Sequence, residues 1–408
     1  MATVEQLPQG EPQGQGGQQR PNVTFDDLMP AKSDALWHFD HIDEHRQGGP
    51  VQFGDANGLE FWLLTTMAGI RDAFQQPAIF SNRAVIPYDP DPPYMWIPEM
   101  LDPPVHTKWR QLLGPQFAPG AVAKLETRMR QRFGEILDDV ADRGGCDLVQ
   151  DVALRFPNTI FMELMGLPVS DAAIFQVWER AILHDPGDQE GALNAMNEVI
   201  AYFAALVAER RKEPKDDLVS VALGWSIDGE PVPDADLLSM CLLMFMAGLD
   251  TVASQLSYSF LHLATHDDDR RRLVKDPSLI PSAIEEFLRY YAFVTPGRMI
   301  TRDVEVGGCP MKAGQMIFAP LVAANRDPDE FPDADKVVID RRDNRHIAFG
   351  AGPHRCLGSH LARQELRVAL EEWHRRIPEY RLTPGVAVRE HGGQIGLDNL
   401  PLQWDVSV

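Results

Sequence analysis

FGAGPHRCLG, residues Phe349 to Gly358, carries one of only four cysteines in a chain of 408 residues. Gly350, Gly352 and Gly358 surround Cys356, and a helical pattern follows, LGSHLARQELRVALEEWHRRIP, from Gly358 to a stop at Pro378. A sulfur at the N-terminus of such a helix is stabilised as thiolate, because unpaired N–H groups and the helix dipole favour negative charge. The glycines let the backbone approach something flat and bulky. From these residues alone, Cys356 is either a cysteinate ligand to a metal or a buried cysteine in a glycine-rich turn. A further reading is zinc held by His354, Cys356 and His360, three candidate ligands within seven residues but with no fourth nearby.

Composition narrows the field. The other cysteines, Cys146, Cys241 and Cys309, are scattered, with no CxxC pair. That argues against a disulfide framework, a zinc ribbon, an iron–sulfur cluster and covalent haem attachment, and it suits a reducing cytoplasm. A formal net charge of -22 argues against nucleic-acid binding. Hydrophobic and charged fractions of 44% and 24% are ordinary for a soluble globular protein. The N-terminus has no apolar signal region, and its Gln/Gly/Pro bias reads as a disordered tail over residues 1–24. The most apolar run, Leu237 to Leu249, is too short for a bilayer, which takes about 20 residues, so it reads as a buried core helix.

The patterns are mostly helical from about residue 120 onward. AVAKLETRMRQRFGEILDDVADRGG stops at Gly144, and NAMNEVIAYFAALVAERRKEP stops before Pro214. Asp234 is placed to cap a helix running through Leu249 to about His266, and Ser282 to Glu285 matches a capping box. VEVGG and QMIFAPL are short strand candidates. VIPYDPDPPYMWIPEMLDPP holds seven prolines and is a loop. The expectation is a single large domain over residues 25–408, mainly α with a minor β part.

Two further constellations carry chemistry. MFMAGLDTVASQ puts Gly248, Asp250 and Thr251 inside an apolar helix. Thr251 can bond back to a carbonyl one turn earlier, and an acid and an alcohol beside a groove can relay protons. Otherwise this is a kinked core helix with a solvated Asp. Glu286 and Arg289 share a helix face at i, i+3, which by itself is a common surface pair.

In combination the features are specific. AGxDT, ExxR, an Arg about fifty residues on, and FGxGxxxCxG follow one another in that order. Over roughly residues 25 to 405 the chain resembles the cytochrome P450 family of haem-thiolate monooxygenases, and looks most like the camphor-hydroxylase branch of the soluble bacterial enzymes.

That resemblance implies roles. Cys356 would be the axial thiolate of haem b, with Phe349 and Gly350 against the porphyrin. Glu286, Arg289 and Arg341, or Arg342 beside it, would form a buried network holding the proximal loop. His106, Arg110, Arg298 and His346 would bind the two propionates. Asp250 and Thr251 would supply protons for dioxygen activation, with Ala247 and Gly248 lining an oxygen groove. Tyr94 would donate a hydrogen bond to a substrate oxygen, and Val85, Leu243, Met246, Val294 and Ile395 would line the pocket of a small, mostly apolar, terpenoid-like substrate. The chain shows no flavin, nucleotide or iron–sulfur motif. The resemblance therefore implies a separate [2Fe–2S] ferredoxin with its NAD(P)H-dependent reductase, docking near Arg71, Arg110 and Arg355, and a monomeric, cytoplasmic enzyme without a membrane span. The reading from another class is a haem-binding sensor or carrier on the same scaffold, without turnover.

Overall fold

The computed structural model describes residues 23–24, 28, 32–56, 58–86, 89–184 and 188–406. Most of the expected N-terminal tail lies outside these residues. Val23 and Thr24 do not behave as tail: Val23 is fully buried, and the pair forms a strand alongside Gly54 and Asp55.

The fold is mainly α, 53% helix against 13% strand, in a single domain. Its axis is the apolar pair Asp234–Leu249 and Thr251–Thr265, in the second of which every residue from Val252 to Ala264 is buried. The helix continues well beyond the apolar run that seemed too short to span. Asp234–Thr265 is long and apolar enough to cross a membrane, but 61% of its most apolar window is inside the protein, as a core helix requires. Gln189–Lys212 also passes the length and composition test, with 33% of its window buried.

Two apolar clusters pack on either side of this axis. One gathers Phe133, Phe156, Tyr258, Phe287 and Trp373. The other gathers Trp109, Phe161, Phe203 and Phe245. Leu361, in the first turns of the helix Ser359–Arg376, packs against both, so the sulfur-bearing loop is held where the two cores meet.

The largest sheet has six strands, ordered Val23–Thr24, Val51–Ala56, Leu59–Leu64, Met316–Phe318, Gly297–Ile300, Phe80–Ser81, and smaller two- and three-stranded sheets accompany it. The expected strands appear as Val304–Val306 and Met316–Phe318. Antiparallel pairing of Arg298 with Ile317 fixes the register that sinks Arg298 into the interior, 4% exposed.

Local caps differ from the expectation. Pro233 caps Asp234–Leu249, and Asp234 sits in its first turn, paired with Arg211. The capping box at Ser282 does not form, because the helix already starts at Ile280. Ser282 bonds to the Leu279 carbonyl at 2.9 Å, and Glu285 is free to act elsewhere.

Candidate active site

The loop after Ile347 is a tight reversal. The Cys356 N–H donates to the Phe349 carbonyl at 2.7 Å, across a short 3-10 turn Gly352–His354. Gly352 is required there twice over. Its φ is +69°, and a Cβ would lie 2.4 Å from the Phe74 carbonyl oxygen. So this glycine accommodates the chain itself, not a ligand. Ser359–Arg376 starts three residues past Cys356 and aims its N-terminus at the sulfur. Burial pushes the Cys356 thiol up, while the Gly358 N–H and the charges of Arg110 and Arg355 draw it down.

Four nitrogen-bearing side chains converge beside this loop. His106 and His354 stack at 3.8 Å, both buried. His106 Nδ1 and both ring nitrogens of His354 lack hydrogen-bond partners. Burial, reinforced by neighbouring cations, drives His106 down to about 4 and His354 to about 2, so both rings are neutral. Arg298 lies 4.5 Å over the Phe74 ring and bonds the adjacent Gly297 carbonyl at 2.6 Å. Burial lowers it to about 10 against the pull of Glu99 and Asp102. Arg110 donates to the Arg355 carbonyl at 2.8 Å, at the edge of the sulfur loop.

Buried donors without acceptors are costly. Two carboxylates at this edge would satisfy the orphaned nitrogens and neutralise the two arginines, so the residues fit the propionates of haem. His346, expected here, is elsewhere: its Nε2 is 3.0 Å from Glu285. His354, two residues before the cysteine, stands beside His106 instead. Its signal in the sequence is proximity to Cys356, which fits zinc spacing equally well.

The helix Ile280–Tyr290 ties the site together with two successive glutamates. Glu286 is fully buried and accepts from Arg289 (2.8 Å twice), Arg341 (2.9 Å), Asn344 (3.1 Å) and the Val338 N–H (2.8 Å). Arg341 is thus the third member, and Arg342 is exposed. Arg289 continues to the Asn325 carbonyl at 2.8 Å, and Asn325 Oδ1 accepts from the Ile347 N–H at 2.8 Å, at the root of the cysteine loop. Glu285 reaches the opposite way, to Arg363 Nε at 2.6 Å on the helix that follows Cys356.

At the axis, Asp250 interrupts the expected continuous helix. Thr251 Oγ1 donates to the Ala247 carbonyl at 3.0 Å, so its lone pairs stay free to accept. Ala247 is open to the interior space, whereas Gly248 is spoken for by packing, since a Cβ there would meet the Phe161 ring at 2.5 Å. Asp250 is not solvated. It is 2% exposed, shares a face with Ala253, Ser254 and Ser257 along a second cavity, and lies 3.5 Å from His184. His184 is also 3.3 Å from Glu179, and the two carboxylates, opposing burial, hold its ring well above the ordinary imidazole value.

The pocket candidates come from both apolar clusters: Val85, Tyr94, Leu243 and Met246 from one, Val294 and Ile395 from the other. Tyr94 differs from expectation. Its hydroxyl donates to Asp89 at 2.9 Å and its ring stacks on Trp96 at 5.0 Å, so a substrate oxygen would have to displace Asp89. Glu99, buried against Arg298 and Arg110 with Asn82 at 3.0 Å, went unnoticed in the sequence because a glutamate after Ile-Pro carries no local signal. The zinc reading fails on placement, because His360 is exposed while His354 stacks on His106.

Known proteins are similar to this chain in sequence and in fold. The family profile described as "Cytochrome P450" matches residues 167–376. The probable cytochrome P450 127A1 of Sinorhizobium fredii is 33% identical over 88% of this chain and 88% of its own. A vitamin D(3) 25-hydroxylase of Pseudonocardia autotrophica is 36% identical over 84% and 87%. The crystal structure of CYP101J2 superposes with a TM-score of 0.85 at 28% identity, covering 96% of this chain and all (100%) of that one.

Proposed function

This chain belongs to the cytochrome P450 family and is a haem-thiolate monooxygenase; from that premise we propose that it hydroxylates a small, mostly apolar organic molecule, with electrons from a separate [2Fe–2S] ferredoxin in the cytoplasm. Haem b with a cysteinate ligand, once bound, supplies the activation of O2. Cys356 would be its ligand, and Arg110, Arg298, His106 and His354 would hold its propionates.

The chain's own residues do the rest. The buried Glu286–Arg289–Arg341 cluster fixes the loop on which the sulfur sits. Thr251, bonded to Ala247, offers oxygen lone pairs to an incoming proton donor. Asp250, at the helix break, lines a cavity that leads to Lys32 and so offers a path for protons toward Thr251. The observation that carries the reading is the convergence of His106, His354, Arg298 and Arg110 beside Cys356, three of them buried, which a carrier would share, together with the Asp250–Thr251 break, which it would not need.

The pocket supports an apolar substrate, because its candidate lining is Val85, Leu243, Met246, Val294 and Ile395. A terpenoid suits this lining. Relatives named as a vitamin D(3) 25-hydroxylase and a steroid C26-monooxygenase of Mycobacterium tuberculosis are the reason to test steroids as well. The test is a spin-state titration of the ferric protein with terpenoids, fatty acids, steroids and phenolic ethers, followed by turnover with ferredoxin, reductase and NADH. A low-to-high-spin shift with an oxygenated product is expected. NADH consumption without product for every binder would favour the carrier.

A further inference from the structure

Glu179, His184 and Asp250 stand outside the haem site yet share one of its residues. Glu179 and His184 belong to the helix Ala172–Leu183 and its C-cap, and Asp250 sits in the helix break. One ligand atom from each lies within 4.8 Å of the others, the one such group among the described residues. The carboxylates are all but excluded from solvent, 4% exposed for Glu179 and 3% for Asp250. Glu179 Oε1, His184 Nε2 and Asp250 Oδ2 all lack hydrogen-bond partners.

The separations discriminate between two arrangements. His184 Nε2 is 3.3 Å from Glu179 and 3.5 Å from Asp250. A charge-assisted N–H···O bond closes to about 2.7–2.9 Å. An edge of a tetrahedron with metal bonds of about 2.0–2.1 Å is about 3.3–3.4 Å. The two separations from His184 are longer than such a bond and close to that edge. Two carboxylates and an imidazole that gives up its proton on binding are balanced by one divalent cation. A fourth ligand has a route in. Asp250 and His184 line a cavity of about 210 Å³ that also reaches Asp398, His391 and Lys32, whose side chain is 79% exposed.

We propose that Glu179, His184 and Asp250 form a binding site for a divalent transition-metal ion, with zinc as the probe and water from the cavity as fourth ligand, and that occupancy withdraws Asp250 from proton supply to Thr251. The second half rests on the proposed role of Asp250; the first does not, and separate readouts test them.

Ferric holoenzyme cleared of adventitious metal is titrated with ZnCl2 by calorimetry, and crystals are soaked and measured at the zinc edge. One tight equivalent is expected, with an anomalous peak among the three side chains. Glu179→Gln and His184→Gln should each weaken it at least tenfold while keeping a thiolate-type ferrous carbonyl spectrum. The absence of a tight equivalent, a peak only elsewhere, or undiminished affinity in either variant overturns the site. In turnover, zinc should raise peroxide release per NADH several-fold in the wild type and not in His184→Gln. Zinc bound as described with unchanged peroxide overturns the link to Asp250 and leaves the site standing.

Discussion

Thr251 illustrates how a single side chain is committed by its geometry. Its hydroxyl proton is spent on the Ala247 carbonyl at 3.0 Å, so what it can offer is an acceptor. Thr251→Ala removes that acceptor without disturbing a buried network, because the residue is only partly buried. Product formed per NADH should fall several-fold, less than the factor of about 10²–10⁴ that a proton-transfer group typically contributes, and peroxide should rise. Thr251→Ser should restore much of the coupling. Unchanged coupling in the alanine variant would remove Thr251 from the proton path. The same scale separates the adjacent arginines. Arg341 bonds a buried carboxylate and two carbonyls, while Arg342 is exposed. Arg341→Ala should cost about 3–5 kcal/mol in urea unfolding, as breaking a buried pair does. Arg342→Ala should stay within about 0.5 kcal/mol.

At the scale of elements, Ile280–Tyr290 is a bracket. Glu286 holds the segment ahead of the cysteine loop, and Glu285 holds the helix behind it. Burial pushes Glu285 up, but hydrogen bonds and charge from Arg363 and His346 outweigh it and hold its carboxyl at about 2. A folded value below the unfolded one stabilises the protein above the unfolded carboxylate value of about 4.3, and that contribution is lost as pH falls toward 2. The acid limb of a stability-versus-pH curve should therefore be steeper for the wild type than for Glu285→Gln over that window. Equal slopes would show that the bracket contributes nothing there. Asp250 acts similarly at a helix join: the break turns its carboxylate to the second cavity and leaves Thr251 on the neighbouring face.

For the whole molecule, the two apolar cores close around a set of polar groups that neither can satisfy. Arg298, His106 and His354 are buried, and the unpartnered ring nitrogens of the two histidines are an uncompensated cost in the protein without haem. Haem removal should lower the melting temperature by several degrees, since a ligand that binds only the folded state stabilises it by mass action. Hydrogen exchange should quicken most in the loop from Phe349 to Gly358 and the helix Val105–Phe117, which carry His354 and His106. Quickening confined to the strands Val51–Ala56 and Leu59–Leu64 would contradict that placement.

The sequence by itself determined the mainly helical class, the cysteine loop and the order of the motifs, because helical periodicity, glycine punctuation and short-range spacing are local properties. It also supplied Cys356, Asp250, Thr251 and the Glu286–Arg289 pair. What tertiary structure decided were the partners. Arg341 rather than Arg342, and His354 rather than His346, meet their targets because loops of many residues fold back on one another. Tyr94 bonds Asp89, and Gly248 makes room for Phe161 across the core. Most of all, Asp250 meets Glu179 and His184, some seventy residues away in the chain. No local pattern encodes such a meeting. It follows from which helix faces the two cores force together.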